Sequence, residues 1–303
     1  MRRFARLFPA AVLAIPVAAG VQDFNGRWNL TLQGDPRGRA WWLEVEGAGT
    51  PNLRGKFVGA PGGQVDVIPK ISIDGEHLVW SFPDKKAGPY RARVEGDRLV
   101  GGWEPRFRFV GRRAPVLKDR DDGGWKKGSP VELFNGRDMT GWECRVQGRS
   151  LDWYVENGVM KNRDKAADIT SVPKFFNFDL HIEYRVARHS NSGVGLRARY
   201  EVQIFGDYGE PPSGHGNGAL YSRIAPSVNA TRPPSEWQTF DIRLIGRQLT
   251  VVLNGKTIHD KVTVEGLTAM ATDPDEDKPG PLTLQGDHGP VEFRKITVTP
   301  LSR

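Results

Sequence analysis

The sequence predicts an all-β protein, in which a small antiparallel β-barrel or meander precedes a two-sheet sandwich of the jelly-roll type. Three observations support this fold class. The 303 residues include 36 glycines and 22 prolines, short runs of alternating apolar and polar residues recur, and no long amphipathic helix is apparent. Nine tryptophans and 14 phenylalanines supply the large aromatic side chains that fill β cores.

The charge of the chain argues against a nucleic-acid partner. The net charge is +7 and the isoelectric point is about 9.5, but basic residues are scattered among acidic ones rather than gathered in a stripe. The only cysteine, Cys144, excludes an intrachain disulfide. No histidine or lysine lies near it in sequence to activate its thiol.

Residues 1–20 are interpreted as an export signal. Arg2, Arg3 and Arg6 form a basic start, an apolar run follows, and small residues at Ala18-Ala19-Gly20 are typical of a signal-peptidase site. The apolar run is too short for a permanent membrane span, although an uncleaved anchor is the alternative. We therefore expect an exported protein, either periplasmic or secreted, without a membrane span.

A small β-rich domain is predicted over residues 21–113. Strand-like runs such as 26–32, 40–46 and 77–82 alternate with turn-forming stretches rich in glycine and aspartate. The Gly26-Arg-Trp28 start loosely resembles a lipocalin-type small barrel. Two readings of Trp41 and Trp42 stay open, because they could stack on a sugar or fill the core.

A charged, glycine-rich linker over residues 114–130 separates this domain from a second one, residues 131–303. Asn157-Gly158 predicts a tight hairpin in the second domain. Residues 176–186 alternate strictly between apolar and polar side chains. A long loop over residues 206–235 is rich in Gly, Pro, Ser and Asn, and loops of this length are usually functional.

The stretch from Asn191 to Asp207 is predicted to be the central strand of the second domain. Its even-numbered residues from Leu196 to Ile204 are apolar or small and are assigned to the core face. The opposite face carries two guanidinium groups, a carboxylate and an amide: Arg197, Arg199, Glu201 and Gln203. Such a face is either a solvated surface or a concave substrate site.

Several short motifs in the second domain occur together in an order typical of one family. They are Leu133-Phe-Asn-Gly-Arg-Asp-Met-Thr-Gly-Trp142, Asn191-Ser-Gly193, Tyr200-Glu-Val-Gln-Ile204, Gly218-Ala-Leu-Tyr221, Glu236-Trp237, Leu253-Asn-Gly255, Leu284-Gln-Gly-Asp-His-Gly289 and Phe293-Arg-Lys-Ile-Thr-Val298. Over residues 131–301 the chain thus resembles the 3-keto-disaccharide hydrolase domain family.

The resemblance implies a concanavalin A-like fold whose concave sheet holds a glycan already oxidised at C3. It also implies an elimination, in which a base removes the C2 proton and the glycosidic oxygen leaves C1, with or without later addition of water. A ketone at C3 acidifies the C2 proton, so a carboxylate or a histidine can act as the base. The enolate then needs hydrogen-bond donors or a cation.

Glu201 is the candidate base, although two neighbouring arginines would lower its pKa. His288 is the alternative base or the acid for the leaving group, or else a histidine capping a turn. The other candidates for binding the sugar lie on the central strand, on neighbouring strands or on loops. They are Asn191, Arg197, Arg199, Gln203, His215, Tyr221, Gln285, Glu183 and His181.

The cofactor is left unknown by the sequence, and a divalent metal ion is an open alternative with Glu201 and Asp207 as candidate ligands. Members of the family often have an aspartate shortly after the Glu-Val-Gln-Ile run. Here Phe205 and Gly206 come before Asp207, which leaves its role open. Trp237 could stack on a sugar ring or belong to the core.

Two other functions remain as alternatives. A non-catalytic glycan-binding module could use the same concave face. A conventional glycosidase is disfavoured, because laminarinase-type enzymes of this fold carry Glu-x-Asp-x-x-Glu on one strand, and this chain has no second glutamate at that distance from Glu201.

Overall fold

The computed structural model describes residues 20–60, 62–146 and 148–303. The predicted export signal therefore lies outside the described residues, apart from Gly20. In the described part of the chain, no helix is long and apolar enough to cross a membrane. The segment that precedes the first strand is a short 3-10 turn, Val21–Phe24.

A nine-stranded antiparallel meander forms the N-terminal part of the protein. Its strands are β1 Gly26–Leu32, β2 Ala40–Glu46, β3 Arg54–Val58, β4 Val65–Val67, β5 Lys70–Asp74, β6 His77–Phe82, β7 Ala87–Glu95, β8 Arg98–Trp103 and β9 Phe107–Arg113. The order across the sheet is β4-β3-β2-β1-β9-β8-β7-β6-β5. The sheet curls around a core of aromatic side chains that includes Trp28, Trp80 and Tyr90.

Both tryptophans at the start of β2 are core residues. Trp41 packs edge-on against Phe57 within the meander. Trp42 points the other way and joins the hydrophobic core of the C-terminal sandwich, because successive side chains of a strand face opposite sides. Strand β2 of the meander therefore packs against the sandwich through the Trp42 side chain.

The C-terminal part is a sandwich of two antiparallel sheets. Its strands are β10 Lys126–Lys127, β11 Val131–Glu132, β12 Trp142–Cys144, β13 Trp153–Glu156, β14 Val159–Asn162, β15 Ile169–Phe175, β16 Phe178–Val186, β17 Asn191–Leu196, β18 Tyr200–Phe205, β19 Gln238–Ile245, β20 Gln248–Leu253, β21 Lys256–Thr263, β22 Gly280–Leu284 and β23 Val291–Ser302. The larger sheet runs β13-β14-β23-β16-β19-β20-β21, with β10 and β11 also on β23, and the smaller runs β12-β15-β22-β17-β18. The predicted all-β class, with a jelly-roll sandwich after an antiparallel meander, is confirmed.

The segment predicted as a linker lies against the sandwich. Lys126 and Lys127 pair with the end of β23, and Asp119 accepts a hydrogen bond from the Asn177 amide at 2.7 Å. Arg243 contacts Asp121 at 3.1 Å. The domain boundaries at residues 113 and 131 stay predictions.

The prediction of one continuous strand from Asn191 to Asp207 is wrong. The stretch is a hairpin of β17 and β18, and Leu196 pairs with Tyr200 across a three-residue turn. Arg197 and Ala198 in that turn both have φ of 56°, in the left-handed region. The pairing joins two even-numbered residues on the same face, so the apolar alternation continues through the turn and conceals the reversal of the chain.

Candidate functional site

A pocket of about 190 Å³ opens on the outer face of the smaller sheet, away from the sandwich core. We call it the candidate pocket. Residues of the hairpin, of the loop after β22 and of the N-terminal meander line it together: Arg37, Arg39, Gly62, Arg145, Asp168, Asn191, Glu201, Gln203, Tyr221, Ala269, Met270, Gln285, Asp287 and His288. The pocket thus combines three carboxyl groups, three guanidinium groups and an imidazole.

Glu201 lies in the wall of this pocket. On β18 the side chains of Val202 and Ile204 enter the core, so the alternation of the strand turns Glu201 toward the pocket. Burial raises the pKa of the Glu201 carboxyl to about 8, and the negative charge of Asp168 adds to the rise, whereas His288 lowers it. The expectation that Arg197 and Arg199 hold this pKa low is wrong, although Arg145 lowers it by less than burial raises it.

Arg197 and Arg199 are fully buried and lie outside the candidate pocket. Arg197 donates to the carbonyl oxygen of Gly246 at 3.0 Å. Arg199 donates to Asp273 at 2.8 Å and to the carbonyl oxygen of Lys278 at 2.7 Å. The turn that reverses the chain directs both guanidinium groups away from Glu201, so the prediction of a shared polar face is wrong.

Two amides adjoin the Glu201 carboxyl group. In the orientation that satisfies its neighbours, the Gln203 nitrogen lies 3.1 Å from Glu201 Oε1 and 3.2 Å from the carbonyl oxygen of Ser192. In the other orientation, Gln203 Nε2 donates to Asn191 Oδ1 at 2.9 Å, so the link to Asn191 in the first orientation requires the Asn191 amide to turn as well. Asn191 and Gln203, both candidates from the sequence, therefore form one hydrogen-bonded row with Glu201.

His288 and Asp287 follow β22 in the loop that begins at Gln285. The imidazole Nδ1 donates to the Asp287 carboxylate, and this hydrogen bond raises the pKa of His288 and lowers the pKa of Asp287. The pairing favours a charged imidazolium. The main chain of Gln285 is held by hydrogen bonds to Gly193 at 3.0 Å and to Ser192 at 2.8 Å.

The ion pair of Arg145 and Asp168 is not among the site residues predicted from the sequence. Arg145 Nη1 contacts Asp168 Oδ2 at 2.5 Å with both side chains almost fully buried, and Asp168 Oδ1 accepts from the Gly286 N–H at 3.0 Å. Burial raises the pKa of Asp168. A charged residue directly before the apolar start of β15 was the one available signal, and nothing in sequence links it to Arg145.

The long loop places Tyr221 in the candidate pocket. Its N–H donates to the carbonyl oxygen of Glu201 at 3.0 Å, and His215 packs edge-on against its ring with centroids 5.0 Å apart. His215 is exposed and contacts Tyr221, but it does not line the pocket. Asp207 organises this loop, accepting from Asn217 N–H at 2.8 Å and from the Thr231 hydroxyl at 3.1 Å.

His181 and Glu183 are far from the candidate pocket. They lie on β16, which pairs with β19 and β23 in the larger sheet and not with the hairpin. His181 contacts Asp241 at 2.7 Å, and Trp237 packs beneath the guanidinium groups of Arg185 and Arg294 on the same outer surface. The expectation that His181 and Glu183 extend the site is wrong, because the two sheets face opposite sides of the sandwich.

The divalent metal ion considered in the sequence analysis would need a cluster of ligand side chains. Within residues 20–60, 62–146 and 148–303, no group of three His, Cys, Asp or Glu side chains is arranged to hold a metal ion. The carboxylate of Asp207 is engaged by the long loop, as described above.

The sandwich is similar to several solved structures. A Parabacteroides distasonis protein, described as a candidate glycosyl hydrolase, is 28% identical over 58% of this chain and 90% of its own, with a TM-score of 0.50. A second such protein from the same organism is 22% identical over 57% of this chain and 94% of its own, with a TM-score of 0.48. No curated protein matches the chain.

A family profile covers nearly all of the sandwich. Residues 129–299 match the 3-keto-alpha-glucoside-1,2-lyase-like domain, and this range includes Glu201, Asp168 and His288. The resemblance expected from the ordered motifs is confirmed over nearly the same residues. The chain therefore belongs to the carbohydrate-active family defined by this domain.

Proposed function

We propose that this protein cleaves 3-keto-glycosides by elimination, with Glu201 as the base. The observation that carries the proposal is a buried carboxyl group whose pKa is raised to about 8, in the wall of a pocket that also holds the hydrogen-bonded pair of His288 and Asp287. A base is most effective when its pKa lies near the working pH.

The first step removes the proton from C2 of the keto sugar. The Glu201 carboxylate takes this proton, and the electron pair of the C–H bond forms a C2–C3 double bond while negative charge moves to the oxygen on C3. Arg145 and His288, which line the same pocket, supply positive charge for that oxyanion. Fixed charges in a site with little water stabilise such a transition state strongly.

The second step breaks the glycosidic bond. The enolate reforms the C3 ketone, a double bond forms between C1 and C2, and the glycosidic oxygen leaves C1 with both electrons of its bond. The His288 imidazolium can give this oxygen a proton, since its hydrogen bond to Asp287 raises its pKa. The product is an unsaturated 3-keto sugar, and addition of water across C1 and C2 turns the elimination into net hydrolysis.

The arrangement of acids disfavours ordinary retaining hydrolysis. Of the three carboxyl groups in the candidate pocket, Asp168 is paired with Arg145 and Asp287 with His288. Glu201 is then left without the second free carboxyl group that a nucleophile and acid pair requires. A glycan-binding module is also disfavoured, because Tyr221 is the one phenol or indole ring among the described lining residues.

Turnover of chromogenic glucosides tests the proposal. Both anomers are offered as the plain glucoside and as the 3-keto derivative, to wild type and to the Glu201→Gln variant. We expect release from the keto substrate alone, with a loss of at least about 100-fold in Glu201→Gln. Glu183→Gln, on the opposite sheet, serves as the matched control with full activity.

Two outcomes would contradict the proposal. Release of the chromophore from the plain glucoside would indicate conventional hydrolysis. Sugar binding without turnover of any substrate across the pH range would indicate a lectin-like module.

We further propose that the protein is exported. The basic start, the apolar run and the small residues ending at Gly20 support this. Cell fractionation and N-terminal sequencing of the mature chain test it, and a protein recovered intact from the cytoplasm would contradict it.

A further inference from the structure

The N-terminal meander contributes three residues to the candidate pocket: Arg37, Arg39 and Gly62. The family profile begins at residue 129, so these residues lie outside the part of the chain that the family shares. The concave face of a jelly roll is by itself an open surface. Here the loop between β1 and β2 adds Arg37 and Arg39 to the lining of the pocket on that surface.

Contacts between the two parts hold this loop in a fixed place. Ala40, at the end of the loop, donates through its N–H to the carbonyl oxygen of Ala271 at 2.8 Å, next to Met270 in the pocket wall. Arg145 Nε lies 3.4 Å from the carbonyl oxygen of Arg37. Farther along, a Cβ atom at Gly63 would lie 2.8 Å from the Ala269 Cβ, so these two segments of the chain are in close contact.

The buried interface is also polar and specific. Glu276, which is fully buried, accepts hydrogen bonds from Asn29 of β1 and from Arg247, at 2.8 and 2.9 Å. The Tyr200 hydroxyl donates to the same carboxylate. A buried carboxylate shared in this way is costly to expose, so the meander is held rigidly on the sandwich.

Arg37 is the cation of the pocket with the weakest protein partner. Arg39 makes two hydrogen bonds to Asp35, at 2.8 and 3.1 Å, and Arg145 is paired with Asp168. The guanidinium of Arg37 reaches Asp287 at 3.7 Å, beyond hydrogen-bond distance, and 56% of its side chain is exposed. Several of its N–H donors therefore remain available to a ligand.

We infer that Arg37 is a substrate-contacting residue supplied by the N-terminal meander, and that the β1–β2 loop closes the site to a single terminal sugar ring. The inference rests on the proposed function. At about 190 Å³, the pocket is smaller than the roughly 300–1,000 Å³ of sites for drug-sized ligands. It holds one keto sugar, and Arg37 at its mouth donates to that sugar or to the unit linked at C1.

The inference is tested with Arg37→Gln and a matched control, Arg54→Gln. Arg54 pairs with Glu46 and does not line the candidate pocket. We expect Arg37→Gln to raise KM for a 3-keto-disaccharide about tenfold, with kcat within about threefold and an unchanged Tm. Arg37→Lys should recover part of the loss, because it keeps the charge. A chain whose keto sugar is internal should not be cleaved.

A KM for Arg37→Gln equal to that of Arg54→Gln would overturn the inference, as would cleavage of the internal keto sugar. If wild type cleaves no keto-glycoside, the proposed function fails and binding decides the inference. Calorimetric titration with the unoxidised disaccharide should then show weaker binding to Arg37→Gln than to Arg54→Gln. Equal affinities, or no binding to wild type, would also overturn it.

Discussion

Gly193 on β17 stands directly against the carboxyl group of Glu201 on β18, and a Cβ atom at Gly193 would lie 2.5 Å from Glu201 Oε1. The backbone at Gly193 is ordinary extended strand, so its lack of a side chain provides space and not conformational freedom. Gly193 of the Asn191-Ser-Gly193 motif thus leaves the space that the Glu201 carboxyl group, the proposed base, occupies.

The variant Gly193→Ala should lose activity while it keeps its fold. The methyl group meets the end of a flexible side chain rather than the backbone, so Glu201 moves and the sheet remains. A displacement of about 1 Å costs about 100-fold in kcat/KM. Gly124→Ala, in a loop with no contact closer than 3.4 Å, is the matched control. Full activity of Gly193→Ala would contradict this placement of Glu201.

The stability of the protein should depend on pH through Glu201. The folded pKa is about 8, above the ordinary value for glutamate, so the native state holds a proton that the unfolded state has released. Between the two pKa values, stability falls by about 1.4 kcal/mol per pH unit. Glu201→Gln removes this contribution, so its stability relative to wild type should rise from pH 5 to pH 8. Urea unfolding at each pH measures the free energy of unfolding of both proteins. A difference between them that does not change with pH would contradict the prediction.

The pH profile of kcat/KM should rise with the ionisation of Glu201, up to about pH 8. Asp168→Asn removes a negative charge that raises this pKa, and it frees the Arg145 guanidinium. Both effects favour the Glu201 carboxylate, so the rising limb should move to lower pH. An unmoved limb would show that another group is the base.

The variant Asp287→Asn should lower the pKa of His288. The hydrogen bond to the Asp287 carboxylate is the largest cause of the raised pKa, and an amide stabilises the imidazolium much less. NMR titration of the six histidines, with His288→Gln for assignment, measures the shift. The acid needed by the leaving group would then be lost at lower pH, and the falling limb of the activity profile should move down with it.

The variant Arg199→Met should weaken the fold without changing KM. Arg199 is fully buried and holds Asp273 and the carbonyl oxygen of Lys278. Loss of these bonds leaves two partly buried acceptors without their donor, at a cost of about 1–3 kcal/mol in the free energy of unfolding. Urea unfolding and steady-state kinetics separate the two effects. A large rise in KM at unchanged stability would restore the substrate-binding role suggested by the sequence.

Alternation of side chains was enough to predict the sheet-rich fold and the pocket-facing side of Glu201 and Gln203. In β18 every second residue enters the core, and this period of two is a local property of the chain. The motif Gln285-Gly-Asp-His-Gly289 likewise marked His288, because a histidine beside an acid at the end of a strand is a recognisable local signal.

Other parts of the site depended on which strands meet in space. Arg197 and Arg199 have the correct parity for the pocket face, but a three-residue turn sends them into the protein instead. His181 and Glu183 alternate as a substrate strand would, yet β16 belongs to the opposite sheet.

The raised pKa of Glu201 and the sharing of the pocket by both halves of the protein also required the tertiary structure. Arg145 and Asp168 are 23 residues apart, and Arg37 is separated from Asp287 by most of the chain. The effective charge around Glu201 is set by burial and by these distant partners, and neither is encoded in any single stretch of residues. Local periodicity determines which way a side chain points, whereas strand pairing and domain packing determine what it meets.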